Sequence, residues 1–342
     1  MPEGEQKMDK APAFDNIDRR AILAMTGAAA AVFSIAPAAA QQQPPQPARE
    51  KGPRVWLDLD QKELDDAYDQ SKYAPNIQQV LGRFASNSET ARQHLGAPKR
   101  LSYGATPIEG ADLYPTSRPN APIYIFIHGG AWRGGLAKNY AFQAELLVNA
   151  GAHYIGLDFI NVLEATGDLM PMADQVRRGI AWIYRNAASF GGDPNRLYVS
   201  GFSSGAHLAG VALITDWEKD HGVPIDVIKG AVLCSGLYDL KPVRLSARSN
   251  YVKFTDDTEQ ALSTQRHIDR INMPVVLAHG TLETPEFQRQ TREFAAALKA
   301  ANKPVQFMIG QGYNHFEMAE TFANPYGLLG RAMLEQMSLQ PA

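Results

Sequence analysis

A serine in a strand-to-helix turn has the clearest chemical signature in this 342-residue chain. Gly201, Ser203 and Gly205 form the pattern Gly-x-Ser-x-Gly, directly after the apolar run 197–200 and directly before a helix-forming segment. Such a turn lifts the serine hydroxyl clear of the sheet, at the positive end of the following helix. The pattern predicts Ser203 as the nucleophile of an acyl-transfer reaction, and the alternative is a tight turn with a capping serine.

A second motif could supply the hydrogen-bond donors that acyl transfer needs. Directly after the apolar run 123–127, the chain continues as His128-Gly129-Gly130-Ala131-Trp132. The tetrahedral intermediate has a negatively charged oxygen, which backbone N–H groups can stabilise. We predict oxyanion-hole donors at Gly130 and Ala131, joined by Ser204 beside the nucleophile, whereas an ordinary Gly-Gly turn is the alternative. His128 is expected to hold this loop without titrating.

A serine hydroxyl needs a base, and in this kind of site the chain order is serine, acid, histidine. Five histidines follow the serine: His207, His221, His267, His279 and His315. His315 lies in a Gly-rich loop after the last apolar run, which is where a catalytic histidine is expected. His207 is expected to pack on the helix after Ser203, and His279 to shape a turn.

The acid that orients the histidine has more than one candidate. Glu283 follows the apolar run 274–278 through a short loop, so it should face the same end of the sheet as Ser203. Asp239 follows the preceding strand and is the main rival. Glu286 is close by, but it is expected to open the next helix as a first-turn acid.

Aromatic residues stand beside the proposed catalytic loops. We predict that Trp132, Phe202 and Phe316 line a substrate pocket, although aromatics near a site are equally often ordinary core. The sequence has no paired cysteines, no His-Glu-x-x-His and no Gly-rich nucleotide-binding pattern, so neither a metal nor a cofactor is expected. The predicted partner is a small-molecule ester or amide, and the oligomeric state stays open.

Apolar runs alternate with helix-period segments along most of the chain, which predicts an α/β fold with a mostly parallel, doubly wound sheet. The predicted buried strands are 123–127, 154–159, 197–200, 230–234, 274–278 and 305–309, with helices at 172–188, 204–214 and 286–301. Two shorter strands are expected at 100–103 and 111–114. Residues 55–96 are polar and helix-prone, which predicts a helical N-terminal cap on a hydrolase domain spanning 55–342.

The N-terminus has the layout of an export signal. Arg19 and Arg20 precede an alanine-rich apolar run that ends near Ala40, and this run is shorter than the ~20 residues of a membrane span. We predict a twin-arginine-like signal peptide over 1–40, a disordered linker over 41–54 and a periplasmic or secreted mature chain without a membrane span. An uncleaved anchor helix is the alternative.

Net charge and cysteine content exclude other classes. The formal net charge is −3, so nothing favours binding to a nucleic-acid backbone. The single cysteine, Cys234, cannot form an internal disulfide and is predicted to be a buried strand residue.

These motifs together resemble the α/β-hydrolase family that includes arylformamidases (kynurenine formamidases) and bacterial carboxylesterases. The resemblance runs from about Asp58 to the end, and it includes the His-Gly-Gly-x-Trp loop, the serine turn, the acid loop at 282–287 and the His-Phe-Glu turn at 315–317. It implies Ser203, Glu283 and His315 as a catalytic triad. The family usually has Asp at the acid position, and often His before the serine and Ala after it.

These departures, together with the export signal, favour a broader carboxylic-ester or aryl-amide hydrolase. An arylformamidase, a peptidase of the same fold and a non-catalytic binding member are the alternatives. The peptidase is disfavoured because no separate propeller-like region is present, and the complete triad argues against a binding protein.

Overall fold

The N-terminal part of the described chain combines a small ribbon with two helices. The computed structural model describes residues 49–341, so the predicted signal peptide and residues 41–48 of the predicted linker lie outside the described residues. Strands β1 (Arg54–Trp56) and β2 (Leu59–Asp60) pair antiparallel, and helices α1 (Gln61–Asp66) and α2 (Ile77–Leu95) follow. The predicted cap is therefore mostly helical but opens with a ribbon, and Arg54 belongs to a strand instead of the linker.

Local signals explain where these two helices form. Asp60 accepts a hydrogen bond from the backbone of Glu63, whose side chain accepts one from the backbone of Asp60, so a capping box begins α1. In α2 the buried residues recur every three or four positions: Val80, Phe84, Ser88 and Ala91. That spacing gives the helix one face that packs against the domain.

An eight-stranded sheet forms the centre of the domain. Its strands are β3 (Lys99–Ser102), β4 (Gly110–Tyr114), β5 (Ala121–Ile127), β6 (His153–Leu157), β7 (Gly192–Phe202), β8 (Ile228–Cys234), β9 (Val275–Gly280) and β10 (Val305–Gly310). They lie in the order β10-β9-β8-β7-β5-β6-β4-β3. Strands β5 to β10 pair in parallel, whereas β3 and β4 join antiparallel at one edge.

Helices cover both faces of this sheet. Those that follow α2 are α3 (Ala144–Ala150), α4 (Met170–Asn186), α5 (Ser204–Leu213), α6 (Trp217–His221), α7 (Leu240–Leu245), α8 (Asp256–Leu262), α9 (Pro285–Ala300), α10 (His315–Glu320) and α11 (Leu328–Gln336). Alternate residues of β5 point to opposite faces: Ile125 joins a core cluster with α4, α5 and α9, and Phe126 joins one with α2, α3 and α11. The predicted α/β-hydrolase fold with a mostly parallel, doubly wound sheet is confirmed.

The parallel strands position the residues singled out above at one edge of the sheet. The carboxyl ends of β5, β7, β9 and β10 lead into the loop at 128–132, the turn at Ser203, the loop at Glu283 and the loop before His315, respectively. Ligands bind at this edge in open α/β sheets. Within residues 49–341, no helix is long and apolar enough to cross a membrane.

Candidate active site

Ser203 occupies a strained turn between β7 and α5. Its backbone has φ of 57° and ψ of −125°, a conformation that residues other than glycine rarely adopt. Its N–H donates to the carbonyl oxygen of Cys234, 2.9 Å away at the end of β8. Because Ser203 directly precedes α5, its hydroxyl lies at the N-terminal end of that helix, where unpaired N–H groups create positive potential.

Close packing explains the two glycines of the serine motif. A Cβ on Gly201 would collide with the backbone of Gly205, and a Cβ on Gly205 would collide with the carbonyl oxygens of Ile127 and His128. These neighbours are backbone atoms, which cannot rotate away as a flexible side chain can. The glycines therefore let β5, β7 and α5 converge directly behind Ser203.

A continuous hydrogen-bonded chain connects Ser203, His315 and Glu283. The Ser203 Oγ atom lies 2.9 Å from His315 Nε2, and His315 Nδ1 lies 2.8 Å from Glu283 Oε2. Since an ionised carboxylate can only accept, Nδ1 holds the imidazole proton and Nε2 is free to accept the serine proton. Three aromatic rings surround this imidazole, with centroids 4.7, 5.0 and 5.2 Å away: Phe202, Phe287 and Phe316.

The Glu283 carboxylate is buried, with 1% of its surface exposed, and is held by several donors. Its Oε1 atom accepts hydrogen bonds of 2.6 Å from both Ser235 Oγ and the Gly280 N–H. Besides His315, Oε2 accepts a longer bond of 3.5 Å from Gln70 Nε2. A buried charge needs such partners because it has lost its hydration. Sequence reasoning missed Ser235 and Gln70, although the position of Ser235 directly after β8 was a usable signal.

The two rival acids lie elsewhere. Asp239 begins α7, where its side chain accepts from the Lys241 N–H and pairs with Arg266 at 3.2 Å. Glu286 accepts from the Tyr68 hydroxyl at 3.0 Å and pairs with Arg289 at 2.7 Å. Of the three candidates, the structure therefore brings only Glu283 to His315.

The loop after β5 presents free N–H groups to the same space. Gly130, Ala131 and Trp132 have positive φ values of 129°, 55° and 62° in succession. Among residues 49–341, the N–H groups of Gly130 and Ala131 donate to no acceptor, and that of Ser204 begins α5 without an intrahelical partner. The Trp132 N–H donates to Ser204 Oγ at 3.2 Å, which ties the loop to the serine turn.

Trp132 does not line the space in front of Ser203, contrary to prediction. Only 1% of this residue is exposed, and its indole N–H donates to His207 Nδ1 at 3.2 Å. His207 in turn donates from Nε2 to the carbonyl oxygen of Leu262, 3.1 Å away. Burial lowers the pKa of His207 to about 4, so the ring is neutral. Its hydrogen bond with Trp132 holds the loop at 128–132 against α5. The expected packing role of His207 agrees with these contacts.

Two other histidines are buried beside strand ends. His128 Nδ1 lies 2.9 Å from the carbonyl oxygen of Gly129, and its ring stacks on Phe159 with centroids 4.4 Å apart. His279 Nδ1 lies 3.0 Å from the carbonyl oxygen of Gly280. Burial lowers the pKa of both rings, which agrees with the loop-holding roles expected for them. Burial likewise raises the pKa of the Cys234 thiol, which disfavours the thiolate form that cysteine reactivity requires.

A cavity of about 650 Å³ opens above Ser203 and His315. Phe202 and Phe316, two of the three aromatic residues singled out in the sequence, line it together with Gly130 and Ala131. Its other walls include Arg133, next to the loop after β5, and four residues from distant segments that no local motif indicated: Tyr68, Gln70, Arg248 and Tyr251. No group of three His, Cys, Asp or Glu side chains in the described residues could hold a metal ion.

A protein-family model matches the central part of this chain. The model described as BD-FAE matches residues 112–298, which is more than half of the chain. The chain belongs to the BD-FAE family. The matched range includes Ser203 and Glu283, whereas His315 lies beyond it.

Individual relatives of this BD-FAE member are hydrolases. Kynurenine formamidase of Danio rerio is 28% identical over 295 residues, covering 82% of this chain and 98% of that protein. An isoprenylcysteine alpha-carbonyl methylesterase of Arabidopsis thaliana is 25% identical over 243 residues, covering 64% of this chain and 56% of that protein. The crystal structure of a Silicibacter protein superposes with a TM-score of 0.69 at 23% identity, covering 78% and 97% of the two chains.

The resemblance to arylformamidases and carboxylesterases of the α/β-hydrolase fold is thereby confirmed. This BD-FAE member is a hydrolase.

Proposed function

We propose that this protein is a serine carboxylic-ester hydrolase that cleaves small-molecule esters through an acyl-enzyme intermediate. The observation that most supports this proposal is the chain from Ser203 Oγ through His315 to Glu283, with steps of 2.9 and 2.8 Å, at the base of an open cavity. A nucleophile, a base and an orienting acid at hydrogen-bond distance meet the geometric requirement for acyl transfer.

In the first half of the proposed reaction, Ser203 Oγ bonds to the carbonyl carbon and its proton passes to His315 Nε2. The carbonyl oxygen becomes negatively charged and accepts hydrogen bonds from the N–H groups of Gly130, Ala131 and Ser204. Glu283 holds the imidazole in the required tautomer and offsets the positive charge that it gains. The His315 proton then passes to the leaving oxygen as the carbon–oxygen bond breaks, releasing the alcohol.

In the second half, water replaces the alcohol. His315 Nε2 takes a proton from this water, whose oxygen attacks the acyl carbon. The same N–H groups hold the new oxyanion, and the proton returns to Ser203 Oγ as the acid leaves. Because Ser203 regains its proton and His315 its free Nε2 atom, the enzyme returns to its starting state.

An arylformamidase is the second candidate, because kynurenine formamidase of Danio rerio matches over 98% of its length. Two residues favour the ester hydrolase: Phe202 stands where arylformamidases often have His, and Glu283 is one methylene longer than their usual Asp.

A substrate panel separates the two activities. The kcat/KM of purified protein is measured for 4-nitrophenyl acetate and butyrate and for N-formyl aryl amides of matched size, with Ser203→Ala as the control. We expect the esters to be preferred by at least about tenfold, which corresponds to about 1.4 kcal/mol in transition-state binding. A tenfold preference for the formyl amides would indicate an arylformamidase. Hydrolysis that persists unchanged in Ser203→Ala would contradict both.

We also propose that the protein is exported to the periplasm or beyond. This proposal is supported by the sequence alone: Arg19 and Arg20, the apolar run and the small residues before Gln41. N-terminal sequencing of protein from the native envelope fraction should begin near Gln41, and Arg19→Lys with Arg20→Lys should block export. Intact chains beginning at Met1 in the cytoplasm would contradict export.

A further inference from the structure

Two arginines line the same cavity as Ser203 without an ion-pair partner in the described residues. The Arg248 guanidinium donates to the Tyr251 hydroxyl at 2.7 Å and to the carbonyl oxygen of Tyr68 at 3.1 Å, both of which are uncharged. The Arg133 guanidinium lies 4.5 Å from the centre of the Tyr251 ring. Among residues 49–341, these two positive charges on the cavity wall therefore have no carboxylate partner.

The acidic groups that line the cavity come from a different segment of the chain than the two arginines. They are Asp65, Asp66 and Asp69, all on the wall formed by the N-terminal segment. Asp66 forms ion pairs with both Lys62 and Lys72. Asp65 accepts from the Ala247 N–H at 2.6 Å, and Asp69 accepts from the backbone of the turn that follows it. Asp65 and Asp69 thus have only uncharged hydrogen-bond partners, as Arg248 does, and what sets the two arginines apart is that both contact Tyr251 on the cavity wall.

Packing holds Arg248 in place. Its guanidinium carbon lies 5.5 Å from the centre of the Trp132 ring and 5.9 Å from that of the Tyr68 ring. Its Nε atom is buried and has no hydrogen-bond partner among the described residues. A guanidinium stacked in this way loses little entropy when it binds a planar anion, and its fork of donors matches a carboxylate.

We propose that Arg248 and Arg133 bind a carboxylate on the substrate, so that the preferred esters are anionic. This inference rests on the proposed ester hydrolysis and adds the class of substrate. Because Arg133 directly follows the oxyanion loop, the carboxylate would lie on that side of the cavity while the ester carbonyl faces Ser203.

Matched substrates test the preference directly. One pair places the charge on the leaving group, with 4-acetoxybenzoate against 4-acetoxybenzamide. The other places it on the acyl group, with mono-4-nitrophenyl adipate against its neutral terminal amide. For each pair the selectivity ratio is the kcat/KM of the anionic ester divided by that of the neutral one. We expect a ratio of about 10 or more for at least one pair in the wild type.

Arginine variants then show whether these two side chains cause the preference. In Arg248→Gln and in Arg133→Gln, the ratio should fall by about tenfold, whereas Arg248→Lys should retain part of it. Arg331→Gln is the matched control, because Arg331 lies on α11 with 71% of its side chain exposed, and its ratio should equal that of the wild type. Each ratio is internal to one protein, so a general loss of activity cancels.

Two outcomes would overturn the inference: a ratio near 1 for both pairs in the wild type, or an unchanged ratio in both glutamine variants. Arg133 is exposed, so Arg133→Gln should fold normally. If Arg248→Gln fails to fold, the selectivity ratio of Arg133→Gln alone tests the inference. No turnover of any of the four esters would instead refute the proposed ester hydrolysis, which is a distinguishable result.

Discussion

The Ser235 hydroxyl donates to Glu283 Oε1 over 2.6 Å, from a fully buried position just beyond the end of β8. The φ of Ser235 is 54°, which is unusual for serine. This backbone conformation directs the hydroxyl toward Glu283. Because Glu283 in turn contacts His315 at 2.8 Å, Ser235 is a positioning residue that acts on the imidazole through the carboxylate.

Ser235→Ala should lower kcat by about tenfold with little change in KM. The variant removes one hydrogen bond to a charged group, and such bonds contribute about 1.5–3 kcal/mol. Ser235→Cys retains a weak hydrogen-bond donor, so its kcat should lie between those of the wild type and Ser235→Ala. The measurement is steady-state kinetics on one neutral ester, with folding checked by circular dichroism. An increase in KM alone would point to a structural effect on the cavity instead.

Gly205→Ala should lower the free energy of unfolding by about 3 kcal/mol or more, because the added Cβ meets two backbone carbonyl oxygens. Gly82→Ala is the control. Its Cβ would meet nothing within 4 Å, and Gly82 lies inside α2, so this change should stabilise the protein by up to about 1 kcal/mol. Urea unfolding measures both. A Gly205→Ala variant as stable as the wild type would contradict the packing described behind Ser203.

His207 should make the protein less stable in mild acid. Its pKa is lowered from 6.5 to about 4 by burial, so below pH 6.5 the unfolded chain binds a proton that the folded protein does not. The contribution of His207 to the free energy of unfolding is complete above pH 6.5. It falls by about 3 kcal/mol as the pH is lowered from 6.5 to 4.

The variant His207→Gln isolates this effect. It should be less stable than the wild type at pH 7, but its free energy of unfolding should fall less steeply between pH 6.5 and 4. Parallel curves for the two proteins would show that His207 does not titrate in this range on unfolding.

Glu283→Gln should reduce kcat by roughly 10²–10⁴ without unfolding the protein, because it removes the charge that stabilises the imidazolium. Asp239→Asn is the matched control, and it should cost far less since Asp239 only caps α7 and pairs with Arg266. Both are compared on one ester. A nearly silent Glu283→Gln beside a folded but inactive Asp239→Asn would reverse the assignment of the acid.

Much of the fold could be predicted because strands buried on both faces are uniformly apolar. The predicted strand 230–234 lies within β8, and the predicted helix 204–214 is one residue longer than α5. The predicted first residues of two strands were wrong, each for a local reason. β7 begins five residues before the predicted Leu197, although 193–196 are polar, because Gly192 pairs with Ala121. β9 starts after Pro274, which has no N–H to donate to a ladder.

The serine, histidine and acid could be proposed from motifs and chain order, but their surroundings could not. Gln70 contacts Glu283, and Arg248 contacts Tyr68, across more than 170 residues of sequence, so no local pattern indicates either contact. Trp132 was misplaced for another reason. Sequence does not give the direction of a side chain in a loop with successive positive φ values, and here the indole turns toward His207.

The central claim is that Ser203 is the nucleophile, and covalent labelling tests it most directly. The wild type and the variants Ser203→Ala and Ser204→Ala are treated with a fluorophosphonate, digested and analysed by mass spectrometry. We predict one adduct on Ser203 in the wild type and in Ser204→Ala, and none in Ser203→Ala. An adduct on Ser204 with Ser203 unmodified, or labelling that persists in Ser203→Ala, would contradict the account.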